Sequence, residues 1–258
     1  MKKEFNNQWA LILGGSSGLG LATAHKLAVH GMNICIVHRT RKNSMPELNE
    51  ELQKMKDAGV EVMDFNKDAL KEATIKIVLG SIPKNSCKLL LHSIAKGSLK
   101  TMQAAQLNML SISDLDITLH SMATSWYEWT QALIAKEIFT ENARNIAFTS
   151  EGNTRVWPGY GAVSAAKATL EALMRQMAVE LAPLNITTNC IQAGTTLTPS
   201  FKLIPGSETL TEQAKKRSPF NRLTAPEDVA NSVYLLCKDE ANWINGTILT
   251  VDGGESLQ

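Results

Sequence analysis

Residues 9–30, WALILGGSSGLGLATAHKLAVH, decide the fold. Trp9 to Leu13 is a short apolar run, GGSSGLG follows it, and Leu21 to His30 completes a strand, glycine turn and helix. Gly14, Gly18 and Gly20 form the pattern G-x-x-x-G-x-G. A turn this tight brings backbone N–H groups and a helix N-terminus against a pyrophosphate, where side chains would block the approach. A glycine-rich turn used for packing alone is the other reading of the same residues.

Working outward, strand and helix signals alternate. Asn33 to Val37 reads as a second strand, Pro46 to Ala58 as a helix ended by Gly59, and Val60 to Asp64 as a third strand. A helix over Lys67 to Leu79 precedes a fourth strand, Cys87 to Leu91. A long helix is expected from about Leu115 to Phe139, then strands Asn145 to Thr149 and Ile186 to Ile191 around another helix. A loop running to Pro219, a helix over Pro226 to Cys237 and a last strand, Thr247 to Val251, complete the chain. The pattern predicts one α/β domain over residues 1–258, a Rossmann-like doubly wound parallel sheet of about seven strands flanked by helices. In such sheets ligands bind at the carboxyl ends of the strands, where these motifs lie.

The residues after the second strand bear on cofactor choice. An acidic residue there suits the ribose 2′-OH of NAD, and an arginine suits a 2′-phosphate. The chain offers His38, Arg39, Thr40, Arg41 and Lys42, with no carboxylate before Glu47. This favours NADPH over NADH, with Arg39 and Arg41 on the phosphate; a solvated basic loop is the alternative. Asp64, at the expected end of the third strand, can cap the next segment or hydrogen-bond an adenine amine.

The second informative stretch is Ser150 to Leu181, SEGNTRVWPGYGAVSAAKATLEALMRQMAVEL. Leu170, Leu173, Met174, Met177 and Leu181 recur at helical steps. If that helix already runs at Tyr160, Lys167 lies about two turns on and shares its face. A nearby ammonium lowers a phenol's pKa from about 10, and such a pair can donate to a developing oxyanion. A tyrosine at a helix start with a lysine snorkelling along one face is the plain alternative.

Composition excludes other classes. The net charge of +1 gives no global pull toward nucleic acid or a membrane surface. No apolar run is long enough to span a bilayer and no signal region opens the chain, so a cytoplasmic protein is expected. Cys35, Cys87, Cys190 and Cys237 are far apart, consistent with buried free thiols, and no metal-ligand cluster appears. In the long helix, Trp126, Tyr127 and Trp129 read as core or subunit contact.

Taken together the motifs resemble the short-chain dehydrogenase/reductase superfamily over nearly the whole chain. They are the glycine pattern, Asp64, Ser150, Tyr160 with Lys167, and the terminal VDGG. Tyr-x6-Lys, in place of the commoner Tyr-x3-Lys, resembles the enoyl-acyl carrier protein reductases. So do HSIA at 92–95, TLHSMATSWYE at 118–128 and R-x-x-P-x-Y at 155–160. The resemblance implies hydride transfer from NADPH to the β-carbon of a trans-2-enoyl thioester in fatty acid biosynthesis. The Tyr160 hydroxyl would hydrogen-bond the resulting enolate oxygen, with Lys167 on the nicotinamide ribose and Ser150 as the third catalytic residue. It implies cofactor contacts from Gly14, Ser16, Ser17, Gly18, Leu19, Gly20, Asp64, Phe65, Ser93, Ile94, Ala95, Gly194 and Thr195, with Ile191 beside the ring. It also implies a substrate loop at about 195–219 and a homotetramer or homodimer, with interfaces on the helices carrying Trp126 and Leu170.

The partners follow: an acyl thioester, with acyl carrier protein as its candidate carrier. That protein is acidic, so Lys202, Lys215, Lys216 and Arg217 can steer it, and a solvated loop accounts for them equally well. Ser150 stands where the main bacterial enoyl reductases have a second tyrosine; a minority NADPH-using branch keeps serine there. Ordinary ketone reductases use the same serine on a substrate carbonyl. A reductase of a ketone, a 3-ketoacyl thioester or an unsaturated thioester in a specialised pathway is therefore the second reading. A non-catalytic nucleotide-binding protein on this fold is the third.

Overall fold

The computed structural model describes residues 4–103 and 109–258. Seven parallel strands form one sheet in the order β3-β2-β1-β4-β5-β6-β7. The strands are β1 Trp9–Leu13, β2 Asn33–His38, β3 Val62–Asn66, β4 Cys87–His92, β5 Phe139–Thr149, β6 Ile186–Ala193 and β7 Ile248–Val251. The strand order reverses between β1 and β4, which opens a crevice above their carboxyl ends. These two strands are held in register from Ala10 opposite Leu89 to Leu13 opposite His92.

Alternation along the strands builds two cores. Leu11, Leu13, Cys35, Val37 and Leu90 face one side, while Ala10, Ile12, Ile34, Ile36, Leu89 and Leu91 face the other. Helices α1 (Gly18–Val29), α2 (Met45–Asp57) and α8 (Pro226–Cys237) cover the second face. Helices α3 (Glu72–Leu79), α5 (Ser125–Ala135) and α6 (Gly161–Glu180) cover the first. Because both faces are covered, the inner strands read as continuous apolar runs rather than alternating ones.

Several boundaries differ from the expected ones. β3 begins two residues later than Val60, so Asp64 lies inside the strand and Asn66 ends it. The long helix is broken: α4 (Ile112–Leu119) passes through a π-helical turn, His120–Thr124, into α5. It stops at Ala135, because Glu137 takes a left-handed φ of 55° and β5 starts at Phe139. The expected loop after β6 carries helix α7 (Ser207–Arg217).

Trp126 and Trp129 are wholly buried, and their indole nitrogens donate to Asn145 Oδ1 and to the Ala69 carbonyl. Leu170 is buried in the same core, so these side chains pack inward, while Tyr127 and Val179 on the same two helices are exposed. Buried Arg144 on β5 donates to the Leu236 and Lys238 carbonyls, capping α8 at the negative end of its dipole. All four cysteines are free and buried.

Candidate active site

The strand ends deliver the site. β1 gives way to Gly14, whose φ of +89° favours glycine. A Cβ there would also meet the Ser93 carbonyl oxygen at 2.6 Å, so the two loops can meet only around a bare backbone. Gly20 serves the same junction, since its Cβ would stand 2.3 Å from the Gly14 carbonyl. The turn is tied down by Gly14 N–H to Val37 O and Ser93 N–H to Leu13 O, both 2.8 Å. Ser17, the N-cap of α1, is extended and makes no side-chain cap. The first-turn amides of α1 therefore open onto the crevice with no internal partner, which suits an anion.

Two adjoining cavities, each of about 300 Å³, occupy the carboxyl end of the sheet. Gly14, Ser16, Ser17, Gly18, Leu19, Arg39, Ser93, Ile94, Ala95 and Lys167 line the first, a cleft along the glycine turn. Gly194 and Thr195 line the second, together with Leu99, Trp157, Val163, Phe201, Ile204 and Leu210. Tyr160 lines both and forms part of the wall between them.

Tyr160 is the N-cap of α6, one residue before the helix proper. Its ring rests on Gly152, where a Cβ would meet the ring at 2.3 Å. Burial holds the phenol above its ordinary value, and the Ser150 hydroxyl beside it works against that rise. Ser150 Oγ is buried and makes no well-formed hydrogen bond of its own. The expected lowering of the phenol by Lys167 is not found. The Lys167 ammonium instead donates to the Phe148 carbonyl at 2.6 Å, and burial brings its pKa down to about 8. Cys190 and Glu171 oppose that fall. The Cys190 thiol is itself kept neutral by burial, so the Glu171 carboxylate is the effective counter-charge.

Glu171 was not anticipated. It is buried one turn beyond Lys167 and accepts from Thr149 Oγ1 at 2.6 Å and Asn153 Nδ2 at 2.5 Å. Those two residues bracket Ser150. The only sequence signal was a carboxylate four residues after the lysine, which a surface i,i+4 pair would explain as well. His92, behind the cleft, is wholly buried with Nε2 on Ser125 Oγ at 3.0 Å; burial takes its pKa down to about 3, so it is neutral.

Other expected residues fall outside the cleft lining. Asp64 pairs with His38 Nε2 at 3.1 Å, and Phe65 packs against the core, because β3 runs two residues further than expected. Lys67 and Asp68 line the cleft in their place. Asp68 holds Arg39 at 3.1 Å. Arg41 is exposed at the start of a 3-10 turn, away from the lining. Ile191 is wholly buried because β6 continues to Ala193. Arg217 is no free surface cation: it bridges Glu151 and Glu255, each at 2.7 Å.

An open parallel sheet, a glycine turn at its switch point and an uncapped helix N-terminus define a dinucleotide-binding α/β protein. A family profile described as Enoyl-(Acyl carrier protein) reductase matches residues 14–256. The chain belongs to this family of the short-chain dehydrogenase/reductase superfamily and is an NAD(P)H-dependent oxidoreductase. The chain is 26% identical over 254 residues to (2S)-[(R)-hydroxy(phenyl)methyl]succinyl-CoA dehydrogenase subunit BbsD of Thauera aromatica, covering 97% of each. A short-chain dehydrogenase from Burkholderia cenocepacia, solved in complex with NADP, superposes with a TM-score of 0.79 at 25% identity over 98% of this chain and 99% of that one. The enoyl-[acyl-carrier-protein] reductase (NADH) of Aquifex aeolicus superposes with a TM-score of 0.81 at 23% identity, over 98% of both. Among the described residues, no helix is long and apolar enough to cross a membrane.

Proposed function

We propose that this protein uses NADPH to reduce the C2=C3 double bond of a trans-2-enoyl thioester, as in fatty acid elongation. The observation that carries the reading is Tyr160, standing between the dinucleotide cleft and the apolar cavity. The glycine turn and the uncapped start of α1 would hold the pyrophosphate, and Arg39 lies on the same cleft for a 2′-phosphate. Bound there, the reduced nicotinamide supplies a hydride. The apolar cavity takes the acyl chain beside the phenol. Tyr160, kept protonated by burial, donates to the thioester oxygen as negative charge develops on it. Lys167, anchored on Phe148 O, presents its ammonium to the cleft where the nicotinamide ribose would lie. The Tyr-x6-Lys spacing and the family profile support the double bond as the reacting group.

One observation favours a second reading. The unpartnered Ser150 hydroxyl beside the phenol could hold a ketone oxygen jointly with it, as in a 3-ketoacyl thioester reductase. The name of the Thauera relative, a dehydrogenase of a hydroxylated CoA ester, points the same way. An acyl carrier protein as donor of the substrate, and a homotetramer or homodimer as the working form, belong to the first reading. Exposed Lys202, Lys215 and Lys216 remain for the carrier once Arg217 is removed from the set.

The deciding experiment is an acceptor panel, crotonyl and longer enoyl thioesters against 3-ketoacyl thioesters, run with NADPH and NADH in parallel. Oxidation of NADPH by the enoyl series is expected. Oxidation only by the keto series would transfer the assignment to the second reading. Tyr160→Phe should lower turnover roughly a hundred- to thousand-fold with cofactor binding intact; a near-full rate would remove the tyrosine from the chemistry.

A further inference from the structure

Four charged side chains from distant parts of the chain meet in the wall of the apolar cavity: Glu151, Arg217, Asp252 and Glu255. Glu255 is 3% exposed and saturated with donors. Its Oε2 accepts from the Thr195 amide at 2.9 Å, and its Oε1 accepts from Thr195 Oγ1 and Arg217 Nη2, both at 2.7 Å. Arg217 also donates to Glu151 through Nη2 at 2.7 Å and Nη1 at 3.3 Å. The turn that delivers Glu255 is fixed as well. Asp252 accepts from the Gly254 and Ser256 amides, and Gly254 takes a φ of +86°.

We propose that Glu255 is a positioning residue that clasps helix α7, through Arg217, to the loop after β6, through Thr195, and so sets the shape of the acceptor cavity. Glu151 extends the clasp to the turn under the Tyr160 ring, since it follows Ser150 and precedes Gly152. A surface pair would contribute little. This one is different in kind. The carboxylate is buried, each oxygen is used, and losing its charge leaves a guanidinium and a main-chain amide poorly satisfied. Arg217 keeps Glu151, so α7 stays folded and loses its alignment rather than its structure.

The clasp rests on reading the apolar cavity as the acceptor site, so its test includes a measurement that needs no acceptor. Hydrogen exchange of Glu255→Gln should show amides at 195–217 exchanging roughly tenfold faster or more, with the strands of the sheet unchanged. On the best acceptor of the panel, KM should rise roughly tenfold, the factor that about 1.4 kcal/mol makes, with kcat within about threefold. Glu255→Asp, which keeps the charge, should recover part of the loss in KM. Arg217→Gln, which cuts the other end, should repeat the exchange pattern and serves in its place if Glu255→Gln fails to fold. Unchanged exchange at 195–217 would overturn the proposal. So would faster exchange throughout the molecule, or a loss confined to kcat, since either would make Glu255 merely structural. A silent acceptor panel with local exchange at 195–217 would count against the acceptor reading and leave the clasp standing.

Discussion

Lys167→Met tests the account of the buried lysine most directly. The ammonium's pKa is about 8 in the folded chain, against an ordinary 10.5. A base whose folded value lies below its unfolded value weakens the fold while both states are protonated and recovers as pH rises between the two values. At about 1.4 kcal/mol per pKa unit, the charged lysine costs about 3 kcal/mol at pH 7 and about 1.4 kcal/mol at pH 9.5. Methionine fills similar space without charge. It leaves the Phe148 carbonyl without its donor, at about 1–3 kcal/mol, so the stability of the variant at pH 7 should be close to or slightly above the parent. The informative quantity is the pH dependence. Urea unfolding should show the parent gaining about 2 kcal/mol, relative to the variant, between pH 7 and pH 9.5. The variant should also lose turnover, because the cleft loses the ammonium proposed for the nicotinamide ribose. Parallel stability curves over that range would refute the burial argument, and retained turnover would refute the placing of Lys167 in the chemistry.

Two further outcomes are expected. Gly20→Ala puts a methyl 2.3 Å from the Gly14 carbonyl, so the turn must open; titration by fluorescence should show dinucleotide binding weakened at least about tenfold, about 1.4 kcal/mol, and unchanged affinity would show that the turn does not hold the cofactor. His92, at about 3 when folded, is neutral, while the unfolded side chain protonates near 6.5. Stability is therefore lost as pH falls below 6.5, by about 2 kcal/mol at pH 5; His92→Gln should remove that part of the acid sensitivity in urea unfolding, and an unaltered acid limb would place it elsewhere.

Much of the fold was readable from periodicity, because a covered parallel sheet writes each inner strand as an apolar block between glycines and helical repeats. Trp9–Leu13 and Pro226–Cys237 appear with the boundaries expected of them. β3 did not, because it lies at the sheet edge, where its residues are only partly buried and the apolar block fades. That two-residue difference puts Asp64 inside the strand rather than at its end, and it is Asp68 that lines the cleft. Tyr160, Lys167 and the glycine turn were legible because local spacing brings them to the cleft. Glu171, Glu255 and the true place of Arg217 were not. Their meaning comes from partners such as Thr149, Thr195 and Glu151, and no local pattern records which distant donor a carboxylate will meet. The same holds for the phenol: spacing placed Lys167 near Tyr160, but only packing shows the ammonium committed to Phe148 O.

The π turn at His120–Thr124 separates two duties along a single rod. Met122, within it, looks into both cavities, whereas Trp126 and Trp129, just beyond, are wedged against the sheet. Each residue of a regular helix advances the facing by about 100°. A π turn holds one residue more than an α turn, so removing one there would relax it to regular helix with the flanking faces nearly in place, whereas adding one would swing the tryptophans out of their sockets. The extra residue thus lets one rod show Met122 to the cavities and the tryptophans to the core, so libraries aimed at acceptor preference should vary Met122 and leave Ser125, Trp126 and Trp129 in place.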